Sequence, residues 1–74
     1  MVKEHERVVL TADFPEYRLK AGDVGTVVHV YGAGEAYEVE FFTLDGQTLD
    51  VITVEAEQVR SVAPMEVMHA RHVA

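Results

Sequence analysis

The sequence predicts an all-β fold in which five short strands curl into one small barrel, and three observations carry that expectation. β-Branched and aromatic residues gather in short runs, the clearest being Thr26-Val27-Val28-His29-Val30-Tyr31, and such residues suit a pleated, half-buried surface. Residues 36–42 alternate, with Tyr37, Val39 and Phe41 on one face and Glu38 and Glu40 on the other, which is the period of a strand with one side in a core. Asp45-Gly46 stands between two such runs, a strong hairpin signal.

The elements follow in order. Arg7 to Thr11 reads as the first strand. Residues 12–23 carry Asp13, Pro15, Glu16, Gly22 and Asp23 around isolated Phe14, Tyr17 and Leu19, a long structured loop without a period of its own. Gly22 and Gly25 close it and are expected to hold positive φ in a tight turn. Thr26 to Tyr31 is the second strand, residues 32–35 a short Gly-containing connection, Ala36 to Phe42 the third strand and Thr48 to Val54 the fourth. Residues 55–58 are good helix formers, enough for one 3₁₀ turn. Val59 to Val62 is the last strand, and Pro64 ends its register. Met65, Met68 and His72 then recur at spacings of three and four, the pattern of a short helix that needs a partner to be stable. The organisation is thus a β-barrel domain over residues 1–63 and a C-terminal tail over 64–74. Val9, Val27 or Val28, Val39, Phe41, and Leu49 or Val51 are the expected core.

A chain of 74 residues has room for one domain. It has no Cys, so stability has to come from barrel packing or from oligomerisation rather than from disulfides or thiolate metal sites. The apolar stretches are only a few residues long and the start, Met1 to Arg7, is charged; neither a membrane span nor an export signal is expected, and the location expected is cytoplasmic. Thirteen acidic against six basic residues give a net charge of −7, a field that keeps a small protein soluble and repels polyphosphates. Lys3, Arg7, Arg18, Lys20, Arg60 and Arg71 are dispersed among acids, so no basic stripe exists and nucleic acid is not an expected partner.

Side chains capable of chemistry are few. His5, His29, His69 and His72 are the groups that titrate near neutrality. His69 and His72 would share a helical face, but two ligands fall short of a zinc site, and no metal or other cofactor is expected. Glu38 and Glu40 belong to the wet face of a strand, Ser61 has no base beside it in sequence, and Gly32-Ala33-Gly34 lacks the Lys and Ser/Thr of a phosphate loop. No catalytic residue is expected, and the chain reads as a non-enzyme.

Five strands, a long first loop, a central meander and a 3₁₀ turn before the last strand is the element order of an SH3-like barrel. The series Arg7-Val8-Val9-Leu10-Thr11, Gly22-Asp23-Val24-Gly25-Thr26-Val27-Val28, Tyr37-Glu38-Val39-Glu40-Phe41 and Asp45-Gly46 resembles a family of small bacterial proteins known as domain of unknown function 4926, over about residues 5–62. The resemblance implies an SH3-like fold and no established activity, and it does not include the tail.

What remains is a surface argument. In the fourth strand, Asp50, Ile52 and Val54 form one row and Leu49, Val51 and Thr53 the other, so apolar groups point outward whichever row fills the core. Phe42 lies on the face of Glu38 and Glu40. Tyr17, Phe42, Ile52, Val54, Met65 and Met68 are the candidate protein-binding residues, Met being well suited to adaptable contacts. The expected function is a small acidic interaction module that self-associates, as an even number of subunits, and binds another protein. Two alternatives share the same features: an antitoxin- or immunity-type protein that neutralises a toxic enzyme, and an accessory subunit of a larger enzyme.

Overall fold

Five antiparallel strands form a single sheet in the computed structural model, which describes residues 2–73. They are β1 (Arg7–Leu10), β2 (Val24–Tyr31), β3 (Ala36–Phe42), β4 (Thr48–Glu55) and β5 (Val59–Ser61), in the spatial order β4-β3-β2-β1-β5. The other regular elements among the described residues are two 3₁₀ turns, Pro15–Tyr17 and Ala56–Gln58. β3 has the bounds its alternation predicts. The other strands agree within two residues.

The sheet is open rather than closed, a difference from the expected barrel: its hydrogen-bonded order ends at β4 on one side and β5 on the other. All five strands nevertheless feed one core, with Val8 and Leu10 from β1, Val27 from β2, Tyr37, Val39 and Phe41 from β3, Ile52 and Val54 from β4, and Val59 from β5. Val27, Val39 and Phe41 are core residues as expected. In β1 the core row is Val8 and Leu10; Val9 is buried on the opposite face, in register with Val24 and Arg60.

Two irregularities decide which side chains face inward. In β2 the register shifts between Val27 and His29, leaving Val28 as an extra residue. A bulge of this kind resets the alternation: Val27 is buried, Val28 and His29 are exposed, and Val30 packs against the core. In β4 the shift lies between the pairs Phe41↔Asp50 and Phe42↔Thr48, with Leu49 as the extra residue. Opposite Tyr37 and Val39 stand Val54 and Ile52, so the Ile52 and Val54 row is the buried one, at 4% and 0% exposure. Val51 is on the outer surface, and the bulge returns Leu49 to the edge of the core. Ile52 and Val54 are therefore core residues, not surface contacts.

Gly25 also departs from expectation. It has no positive φ; a Cβ there would lie 2.6 Å from Val39 Cγ1, 2.8 Å from Phe41 Cε1 and 2.9 Å from the Glu40 carbonyl oxygen. Close approach, not turn geometry, requires this glycine. Gly22, at φ +96° with nothing within 4 Å of a built Cβ, is the residue that meets the turn expectation.

The tail is not helical. After β5 the chain makes a turn at Pro64-Met65 and then runs without regular structure to residue 73. Glu66 explains the arrest: its carboxylate accepts from the Ala63 backbone N–H and from both terminal nitrogens of Arg60, and Met65 takes φ +67°. Local side-chain bonds of this type compete with helix formation. His69 and His72 consequently share no helical face.

Candidate functional site: a groove walled by the tail

The residues that line the main groove come from three separate segments: the end of the first loop (18–24), the β3–β4 connection (41–45, with Leu49) and the tail (67–73).

The first wall is built by the loop's own hydrogen bonds. Phe14 and Leu19 pair across the Pro15–Tyr17 turn, N–H to carbonyl at 2.8 and 3.1 Å, with Arg18 left-handed at φ +61°. This drives Leu19 into the core as the loop's anchor. The Ala21 N–H donates to Asp13 Oδ1 and the Lys20 N–H to Asp23 Oδ2, both at 2.9 Å. Gly22 N–H to Leu10 carbonyl (2.8 Å) and Leu10 N–H to Asp23 carbonyl (2.9 Å) then tie the loop to β1. Asp23 is thereby fixed in backbone and side chain.

The second wall is the connection from Thr43 to Gln47. The Thr43 N–H donates to the Gln47 carbonyl at 2.7 Å, the Gln47 N–H to Thr43 Oγ1 at 2.9 Å, and the Thr43 hydroxyl to Asp45 Oδ1. Gly46, at φ +93°, completes the turn. Phe42 and Leu44 stand on this wall at 47% and 75% exposure.

Arg71 anchors the third wall. Arg71 forks onto Asp23, Nε to Oδ1 at 2.8 Å and Nη2 to Oδ2, and Nη2 also donates to the Arg18 carbonyl at 3.0 Å. Both side chains are partly buried. Burial alone would push the Asp23 carboxyl up, but the Arg71 hydrogen bond, the Lys20 N–H and the Arg71 charge together hold it below the usual carboxylate range; Asp23 in turn raises Arg71. Next to this clamp, Val67 and Met68 are 87% and 75% exposed.

The groove measures about 1010 Å³, against about 300–1,000 Å³ for pockets that enclose a small ligand. Of the candidate binding residues, Phe42 and Met68 line it together. Tyr17 is exposed on the loop's 3₁₀ turn and Met65, at 98% exposure, on the turn after β5; neither lines the groove. Ile52 and Val54 are inside. Sequence reasoning missed Val24, Leu44 and the Asp23–Arg71 pair, which become neighbours only through the fold.

The outer face of the sheet carries a second cluster. Glu38 accepts from the Tyr31 hydroxyl at 3.0 Å and from Thr53 Oγ1 at 2.8 Å, and Glu40 accepts from Thr48 Oγ1 at 3.0 Å. His29 meets Tyr31 edge-on at 4.6 Å and has Glu4 at 3.9 Å. The Glu38 hydrogen bond raises the Tyr31 pKa, so the phenol is a donor at neutral pH and not a nucleophile. No three His, Asp or Glu side chains converge as a metal-ligand set among the described residues. The arrangement ties β2, β3 and β4 together across the outer strand face.

No curated protein and no solved structure matches the chain. A family model does match, from the segment that leads into β1 to the last residue of β5, which includes Asp23 and leaves Arg71 beyond the matched region. With residues 4–61 covered by the model described as Domain of unknown function (DUF4926), the chain belongs to that family.

Proposed function

We propose that this protein is a non-enzymatic interaction module that self-associates and binds another protein through the groove between its first loop, its β3–β4 connection and its tail. One observation carries the reading: Val24, Phe42, Leu44, Val67 and Met68, from three distant stretches of chain, are all solvent-exposed and all line one groove. Scattered apolar residues are ordinary on a surface, whereas a gathered set marks a contact site. The small open sheet supports the same reading, because a disulfide-free domain of this length gains stability by covering apolar surface with a partner. The strand order suits an SH3-like scaffold, the absence of Cys suits a cytoplasmic setting, and the acidic surface favours a protein partner over nucleic acid.

The test compares wild type with Leu44→Asp. Leu44 is highly exposed, so the variant keeps the fold, which a thermal melt checks. A partner recovered with wild type, purified and titrated back by calorimetry, is expected to bind the variant at least tenfold more weakly. Equal affinity for the two chains would place the contact elsewhere and overturn the reading.

A further inference from the structure

The groove already holds one occupant, and it is a piece of the chain itself. Asp23 is set by the first loop without help from the tail: its backbone N–H donates to the Lys20 carbonyl at 3.0 Å, its carbonyl accepts from the Leu10 N–H at 2.9 Å, and its Oδ2 accepts from the Lys20 N–H at 2.9 Å. What the tail adds is a guanidinium. Arg71 reaches both carboxylate oxygens, Nε to Oδ1 at 2.8 Å and Nη2 to Oδ2, the forked geometry that sets arginine apart from a point charge such as lysine. The matched family region includes the acceptor, Asp23, and ends before the donor, Arg71.

Around this junction the tail is a poor cover. Val67 and Met68 are 87% and 75% exposed, and Val24, Phe42 and Leu44 stay open beside them. Among the described residues, 67–70 make no hydrogen bond to the rest of the chain. Ordering such a segment costs conformational entropy that little burial offsets. A segment that makes the same fork and also covers the apolar walls would therefore win the site from the tail. The field of a chain with net charge −7 draws in cationic segments in particular.

We propose that the groove takes an extended protein segment carrying an arginine, and that the tail is the latch this segment displaces. The incoming guanidinium replaces Arg71 on Asp23, and the apolar side chains that flank it cover Val24, Phe42 and Leu44. The inference rests on the groove reading above and narrows the partner to this chemistry. Glu66 stays on Arg60, at 2.9 and 2.6 Å, and on the Ala63 N–H, so the base of the tail remains fixed while residues 67–73 swing out. With the latch shut in about nine molecules of ten, the apparent affinity for a competing segment falls about tenfold.

Calorimetry with a capped synthetic peptide of residues 64–73 tests both halves of the proposal. The full-length Arg71→Gln chain, whose fold a thermal melt checks, is expected to bind the peptide about tenfold more tightly than wild type does. Adding Asp23→Asn, which keeps an acceptor for the Lys20 N–H, is expected to cost that chain at least tenfold in affinity, as is Arg71→Gln in the peptide. Equal affinity of wild type and Arg71→Gln overturns the latch. Binding that survives Asp23→Asn or the altered peptide, or no binding by any chain at about 1 mM, overturns the arginine site. Neither failure touches the groove itself, which the Leu44→Asp comparison tests separately. A further measurement needs no variant chain: titrating the peptide into isotope-labelled wild type is expected to move the amide signals of residues 69–71 toward random-coil positions while those of β5 hold. A peptide that binds and leaves the tail signals unmoved refutes displacement.

Discussion

Replacing Gly25 by Ala tests the packing between β2 and β3 most directly. The added methyl would meet Val39 Cγ1 at 2.6 Å, Phe41 Cε1 at 2.8 Å and the Glu40 carbonyl oxygen at 2.9 Å. Val39 and Phe41 are fully buried and have nowhere to move, and the Glu40 backbone is held in the ladder opposite Thr26. Overpacking typically costs about 1–3 kcal/mol, and an immobile backbone contact puts this site in the upper half of that range. Ala restricts the unfolded chain and returns about 0.4–1 kcal/mol. The net is a destabilisation of about 1–2.5 kcal/mol, which for a domain of this size lowers Tm by roughly 5–20 °C. Thermal and urea melts followed by circular dichroism read it out. Because Val39 Cγ1 is the nearest atom, Gly25→Ala combined with Val39→Ala is expected to cost less than the sum of the two singles, a coupling that a double-mutant cycle measures. An unchanged or higher Tm for Gly25→Ala would refute the argument, as would strict additivity in the cycle.

Further outcomes follow from the core and the clamp. Phe41→Ala removes the largest fully buried side chain and is expected to cost about 3–5 kcal/mol, which is most of the stability a 74-residue domain possesses; a urea midpoint equal to wild type would contradict it. Ile52→Asp places a carboxylate in the core and is expected to leave the chain unfolded by one-dimensional NMR, whereas Val51→Asp, one residue away on the outer surface, keeps dispersed resonances. The tail is expected to detach in acid. Asp23 is held below the usual carboxylate range and Glu66 at about 2, the latter by the Arg60 hydrogen bond first and then by the Ala63 N–H. Both folded pKa values are depressed, so their contribution is present above the unfolded pKa of about 4 and is lost as pH falls through the folded values. Amide shifts of residues 66–71 are expected to hold steady down to about pH 4 and move toward random-coil positions below it; shifts that stay unchanged in stronger acid would refute the role of the two carboxylates.

Where the sequence is strongly periodic, it determines the structure. β3 was legible because Tyr37, Val39 and Phe41 alternate with glutamates, and nothing in that stretch offers a competing face. β4 was not, because Leu49, Val51 and Thr53 are about as apolar as Asp50, Ile52 and Val54. The choice between the rows is made by pairing, Ile52 with Val39 and Val54 with Tyr37, and single strands carry no information about register. The surface expected around Ile52 and Val54 failed for that reason, while Phe42 and Met68, whose positions do not hinge on that choice, ended beside one groove. Gly25 and Gly22 look alike as letters but answer to different constraints, a neighbouring strand and a backbone angle. In the tail, the spacing of Met65, Met68 and His72 suggested a helix, but Glu66 satisfied local groups first. The Asp23–Arg71 pair joins residues 48 apart in the chain, and a lone arginine in a tail carries no mark of its distant acid.

The strand order also governs when the protein can fold during its synthesis. β1 is made first but lies between β2 and β5, with Val8 paired to Gly25 on one side and to Ser61 on the other. A ribosome that has released β4 has delivered the whole β2–β4 meander, whose contacts are local and quick to form. At that moment one flank of β1 is still bare, and the core lacks Val59. A nascent or prematurely ended chain therefore displays an unpaired strand edge, a template for joining other incomplete chains. The last strand covers that flank of β1 and leaves in its place the edge of β5, only three residues long, a much shorter template.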